Sequence, residues 1–148
     1  AGTHYILVEL PTNVHPAGIE ETLYSILQRG YTPILAHVER FPYVTENPAL
    51  LYNWVSMGCL AQVNANAFLR GGETAKAVHR YVKWNLVHLM ASDAHSIKRR
   101  PPNLKDGHAV LPTDLSEYFM RNGEDVFFDR EPSLPEPIEP KKLFGLWK

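Results

Sequence analysis

Asp93 and His95 stand two residues apart where an apolar run stops, in "LMASDAHSIKRRPP" (residues 89–102), and the cations Lys98, Arg99 and Arg100 follow. If that stretch is extended, side chains two apart point the same way. A carboxylate and a neutral imidazole then meet on one side, a donor pair suited to Mn, Fe or Zn. A lone D-x-H is equally what a structural pair or a helix cap looks like. Three other apolar runs also end in polar residues: one at Glu9, one at His37 with Glu39 and Arg40 behind it, and one at Gln62 and Asn64. If the four ends share a rim, Glu9, His37, Asp93 and His95 become candidate metal ligands, in the protonation states that ligation needs near pH 7. Arg40 sits three residues beyond His37, and Arg99 and Arg100 a few beyond His95. Guanidinium groups beside metal donors imply an anionic substrate, and phosphate is the best match. Pro101 fixes the backbone after Arg100.

The elements that must position these residues follow from the apolar pattern. Residues 5–10, 32–37, 59–65 and 86–93 are rich in Val, Ile and Leu without clean alternation, as strands covered on both faces are. Between them lie helical stretches. Residues 18–30 put Ile19, Leu23, Ile26 and Leu27 on one face and stop at Gly30; residues 47–58 open with Asn47 as cap and Pro48 in the first turn; residues 73–85 carry Ala75, Val78, Tyr81 and Val82 on one stripe. A fourth helix is predicted over 111–123, ending at Asn122-Gly123. Glu9, His37, Asn64 and Asp93 fall at intervals of 28, 27 and 29 residues. This is α/β architecture built of parallel βα repeats, and four units make about half of a (β/α) barrel, whose active site lies at the carboxyl ends of the strands. Residues 1–130 are assigned to this domain. Residues 131–148 form a tail with prolines at 132, 135, 137 and 140, predicted to be extended and to pack through its apolar end.

Composition narrows the function. Hydrophobic residues make up 45% and charged residues 21% of the 148, a globular balance, and the net charge of -1 gives no footprint for nucleic acid or an anionic membrane. No apolar run reaches the roughly 18 residues of a membrane span, and no secretory leader pattern is visible. The single cysteine, Cys59, excludes an internal disulfide and points to a reducing compartment, the cytoplasm. It opens a strand, away from the catalytic rim, and is read as a small buried hydrophobe. The chain begins almost inside a strand, so an upstream segment is expected. His88 and His4 are predicted to face the helices, His79 to be structural or exposed, and His15 and His108 to lie in loops.

Taken together, "ILVELP", "GYTPILAHVERFP", "GCLAQVNANAFLRG" and "LVHLMASDAHSIKRRPPNL" resemble successive motifs of the polymerase-and-histidinol-phosphatase (PHP) superfamily. The match is to its bacterial capsule and exopolysaccharide branch and covers roughly residues 5–104. That resemblance implies a distorted PHP-type barrel and a manganese-dependent protein-tyrosine phosphatase acting on the tyrosine kinases that control polysaccharide export. It implies metal ligands at Glu9, His37, Asp93 and His95, a multinuclear cluster in the intact protein, and phosphate-binding arginines at Arg40 and Arg100, with Arg99 beside them. The first-strand H-x-H of the superfamily has no counterpart in "THYIL", and "LRGGETAK" stands where a glycine-rich G-x-F-G is usual. A phosphoesterase acting on a small metabolite such as histidinol phosphate, and a non-catalytic half-barrel that binds a partner, are the competing readings; a homo-oligomer fits any of them.

Overall fold

A computed structural model describes residues 2–99, 101–143 and 146–147. Four parallel strands lie in sequence order, β1 (Tyr5–Val8), β2 (Thr32–Leu35), β3 (Leu60–Asn64) and β4 (Leu89–Ala91). The crossovers are α1 (Ile19–Gln28); a 3-10 turn (Val38–Arg40) followed by α2 (Pro42–Glu46) and α3 (Ala49–Ser56); and α4 (Asn66–Leu69) followed by α5 (Gly72–Lys83). After β4 come α6 (Leu104–Ala109) and α7 (Thr113–Phe127), and a short antiparallel pair, β5 (Lys142–Leu143) with β6 (Leu146–Trp147), ends the chain. The α/β class and the parallel sheet read from the 28-residue rhythm are therefore present.

The register explains why the strands do not alternate. Leu7 pairs with Ile34, Ile34 with Leu60, and Gln62 with Leu89, so these residues share one face. Leu35, Ala61, Val63 and Met90 point the other way and pack with Leu23, Leu51, Trp54, Val78 and Tyr81 of the helices. On the first face Ile34, Leu60 and Leu89 form a smaller cluster, covered by Tyr5, Val126 of α7 and Leu134 of the tail. Both faces are largely apolar at mid-strand, and polar side chains gather towards the carboxyl ends, from Gln62 onward in β3.

Four local expectations are corrected. His108, expected in a loop, lies within α6. Helix α3 starts at Ala49 with Pro48 in the cap position and no side-chain cap; Asn47 instead closes α2, a helix that Pro42 starts and the apolar pattern did not reveal. Helix α7 runs through Asn122-Gly123 to Phe127. Asn122 is fully buried and donates its side-chain amide to the His88 carbonyl (2.9 Å), so it anchors the helix rather than ending it. His4 does not face the helices: its ring and its backbone N–H both meet the Asp129 carboxylate, at 2.6 and 2.8 Å. His88 is the core histidine expected, 1% exposed.

Candidate active site

Two of the strand ends, those of β2 and β4, turn sharply. His37 (φ 39) and Asp93 (φ 51) both adopt the left-handed region, which β-branched and bulky residues avoid and which recurs at functional sites. Asp93 and His95 therefore do not meet by extended alternation, as the sequence suggested. The turn folds His95 back so that its Nδ1 lies 2.8 Å from the Asp93 carbonyl oxygen and 3.4 Å from Oδ1. His37, buried, directs Nε2 to Glu9 Oε1 at 3.1 Å, while the Glu9 side chain is 71% exposed.

Between these pairs runs a polar ladder on the side of β3 that continues from Leu60. Gln62 Nε2 donates to Asn64 Oδ1 (3.2 Å), and Asn64 Nδ2 donates to Asp93 Oδ2 (3.3 Å). Arg40 Nη1 reaches the same Asp93 oxygen at 3.1 Å. Glu39, buried beside Arg40, accepts the Asn64 backbone N–H at 3.3 Å, and its Oε2 has no hydrogen-bond partner among the described residues. Burial pushes the Glu39 carboxyl up to about 7, against the lowering effect of its backbone hydrogen bonds and of Arg40. This carboxyl is consequently balanced between its two protonation states near neutrality.

The ladder opens into a cavity of about 960 Å³ whose described lining includes Glu39, Arg40, Asn64 and Asp93 with Thr45, Arg70 and Ser92. Of the candidate metal ligands and phosphate-binding residues, Arg40 and Asp93 line it, with Glu39 and Asn64 from the other strand ends; Glu9 and His37 form their own pair at the end of β1 and β2. Arg99 is exposed, with its backbone N–H on the Ser96 hydroxyl, and is not among the described lining residues. Arg100 lies outside the described residues. Sequence reading assigned no role to Glu39, Thr45 or Arg70. Glu39 carried a signal, a carboxylate inside H-x-E-R, whereas Thr45 and Arg70 carried none.

The donor types fit a divalent cation: imidazole nitrogen and carboxylate oxygen from Glu9 with His37, and from Asp93 with His95. They come as two pairs. Among the described residues, no group of three or more His, Cys, Asp or Glu side chains is gathered closely enough to hold an ion.

Fold and site together define a parallel α/β half-barrel with a guanidinium–carboxylate cavity at its strand ends. The chain belongs to the capsular polysaccharide synthesis CpsB/CapC family, whose model matches residues 1–129. It is 36% identical to the tyrosine-protein phosphatase YwqE of Bacillus subtilis over 98% of the chain, and 33% identical to the putative tyrosine-protein phosphatase CapC of Staphylococcus aureus over 97%. It spans 60% of the length of each of these relatives. A chain from crystal structures of YwqE and of CpsB from Streptococcus pneumoniae, described as unique metal-dependent tyrosine phosphatases, superposes with TM-score 0.86 at 32% identity, over 95% of this chain and 59% of that one. The resemblance to the capsule branch is thus borne out. No helix among the described residues is long and apolar enough to cross a membrane.

Proposed function

We propose that this chain is part of a metal-dependent phosphatase that hydrolyses phosphotyrosine on proteins and regulates capsular or exopolysaccharide synthesis, with a bacterial tyrosine kinase as its physiological substrate. The observation that supports this most is Arg40 held 3.1 Å from Asp93 at a cavity formed by strand ends, in a chain of the CpsB/CapC family. Residues 1–130 form the catalytic part and 131–148 an accessory tail; the protein works in the cytoplasm and a homo-oligomer fits the reading.

In this scheme Glu9, His37, Asp93 and His95 hold manganese, with iron or zinc as substitutes, and form a multinuclear centre together with ligands from the rest of the protein. A bound divalent ion supplies Lewis acidity and lowers the pKa of water. This chain's own contribution is positioning. Arg40 and Arg100, with Arg99 near them, orient the phosphate and offset charge that builds on its oxygens. Asp93, through its bond to Arg40, sets the direction of that guanidinium, and Asn64 holds Asp93 from the other side.

The test is phosphate release by the protein from a phosphotyrosine peptide and from histidinol phosphate, with manganese and after chelation. The proposal expects metal-dependent turnover of the peptide, abolished by Asp93→Ala and kept by Cys59→Ser, since burial raises the Cys59 thiol to about 12. Preference for histidinol phosphate would favour the small-metabolite reading, and no turnover of either would favour a partner-binding half-barrel.

A further inference from the structure

The cavity is larger than a phosphoryl group needs. It measures about 960 Å³ and is open to solvent along one side. Two guanidinium groups line it among the described residues, and they are not equivalent. Arg40 is neutralised by Asp93. Arg70 is exposed, and its side chain makes no hydrogen bond or ion pair among the described residues. It closes α4 and is followed by Gly71 and Gly72, both with positive φ (68 and 81), which turn the chain into α5. The turn leaves Gly71 and Thr74 as its neighbours in the lining, neither of which opposes its charge. Glu46, an exposed carboxylate carried by α2, gives its own wall of the cavity the opposite sign.

We propose that Arg70 is a specificity-determining residue that reads an acidic side chain flanking the phosphotyrosine, so that the cavity takes an acidic phosphopeptide and not a bare phosphotyrosine. This rests on the phosphotyrosine reading above. Arg70 touches no group at the Asp93 end in the structure, so it contributes to substrate binding and not to the chemical step. A rim charge of this kind acts through attraction and its salt dependence.

The experiment compares the protein with its Arg70→Ala and Arg70→Glu variants. The substrates are p-nitrophenyl phosphate and three phosphotyrosine peptides: Glu-Glu before the phosphotyrosine, Glu-Glu after it, and a neutral flank. Wild type should favour one acidic peptide over the neutral one by roughly fivefold in KM, the size of a partly exposed ion pair. Arg70→Ala should erase that preference without changing kcat or turnover of p-nitrophenyl phosphate, and Arg70→Glu should invert it. Equal KM for all peptides in wild type, or a loss in Arg70→Ala that extends to p-nitrophenyl phosphate, overturns the inference. Calorimetric binding of the same three peptides carrying a non-hydrolysable phosphonate separates the two levels. If no substrate is turned over, the phosphatase reading falls, while a flank preference in binding that disappears in Arg70→Ala still upholds the role of Arg70, and its absence removes it.

Discussion

Asn122 of α7 donates its side-chain amide to the carbonyl of His88 across 2.9 Å, with both residues sealed from solvent. The bond ties the last helix to the start of β4, the strand whose other end carries Asp93. Replacing Asn122 by Ala leaves a buried carbonyl without its donor, a loss of about 1–3 kcal/mol. Thermal unfolding followed by circular dichroism should show Tm lower by roughly 3–10 °C. A Tm within a degree of wild type would mean that the bond is replaced or unimportant.

His88 itself should make the protein acid-sensitive. Its Nδ1 accepts the Ala61 backbone N–H at 3.0 Å, and burial holds its pKa down at about 4 despite a hydrogen bond to the Asn85 backbone. Protonation would set a second N–H against that of Ala61. The unfolded chain binds the proton near pH 6.5, before the folded one does, so this part of the stability is complete above about 6.5 and drains as pH falls towards 4. The slope should approach about 1.4 kcal/mol per pH unit in that window. Urea unfolding across pH 4–7 measures it, and His88→Gln should flatten the curve while lowering stability at pH 7.

Gly107 marks where α6 presses on the β3 exit. A Cβ there would lie 2.6 Å from Ala65 Cβ and 3.3 Å from the Ala65 backbone and Met90 Sδ. Nearby, Asn103 donates to Asn66 Oδ1 at 2.8 Å, fixing α6 over the same turn. Gly107→Ala must move backbone, at about 1–3 kcal/mol, although in an exposed helix the same change would stabilise. Since Asn64 and Asn66 flank Ala65, the variant should also lose catalytic efficiency, and unchanged stability would refute the contact.

Much of this arrangement was legible beforehand because burial on both faces writes itself as uninterrupted apolar runs, and the polar residue closing each run marks the strand end. What was not legible depended on contacts distant in sequence. Asn122-Gly123 has the composition of a helix stop, yet a partner 34 residues away recruits Asn122 into the core. Helix α2 is only five residues long, too short for periodicity to register. The meeting of Asp93 with His95 came from a left-handed turn, which no alternation rule encodes.

Arg40 and Asp93 should be inseparable in function. Arg40→Ala removes the described cation at the phosphate end of the cavity, and kcat should fall by about 10²–10³, the usual loss for a charge-stabilising donor. Arg40→Lys should recover little, because an ammonium offers no planar fork to hold both Asp93 and a phosphate oxygen. Phosphotyrosine-peptide kinetics decide it; recovery of more than half the rate by lysine would show that charge alone suffices.

The tail is a structural strap. Ile138 N–H bonds to the Trp84 carbonyl (2.8 Å), Asn85 Nδ2 to the Glu136 carbonyl (2.9 Å), and Trp147 Nε1 to the Glu46 carbonyl (3.1 Å). Prolines reduce the freedom lost on docking, and Leu134 supplies apolar burial against Ile34, Leu60 and Leu89. Partial burial of a leucine places Leu134→Ala at about 1–2 kcal/mol. Ile138 bonds only through its backbone and is half exposed, so Ile138→Ala should cost under about 0.5 kcal/mol. Equal, negligible effects of both variants in urea unfolding would show the tail resting on the body without stabilising it. A Leu134 effect well above that of Ile138 makes residues 131–148 part of the folded unit, with Trp147 then bracing α2, the helix that presents Thr45 to the cavity.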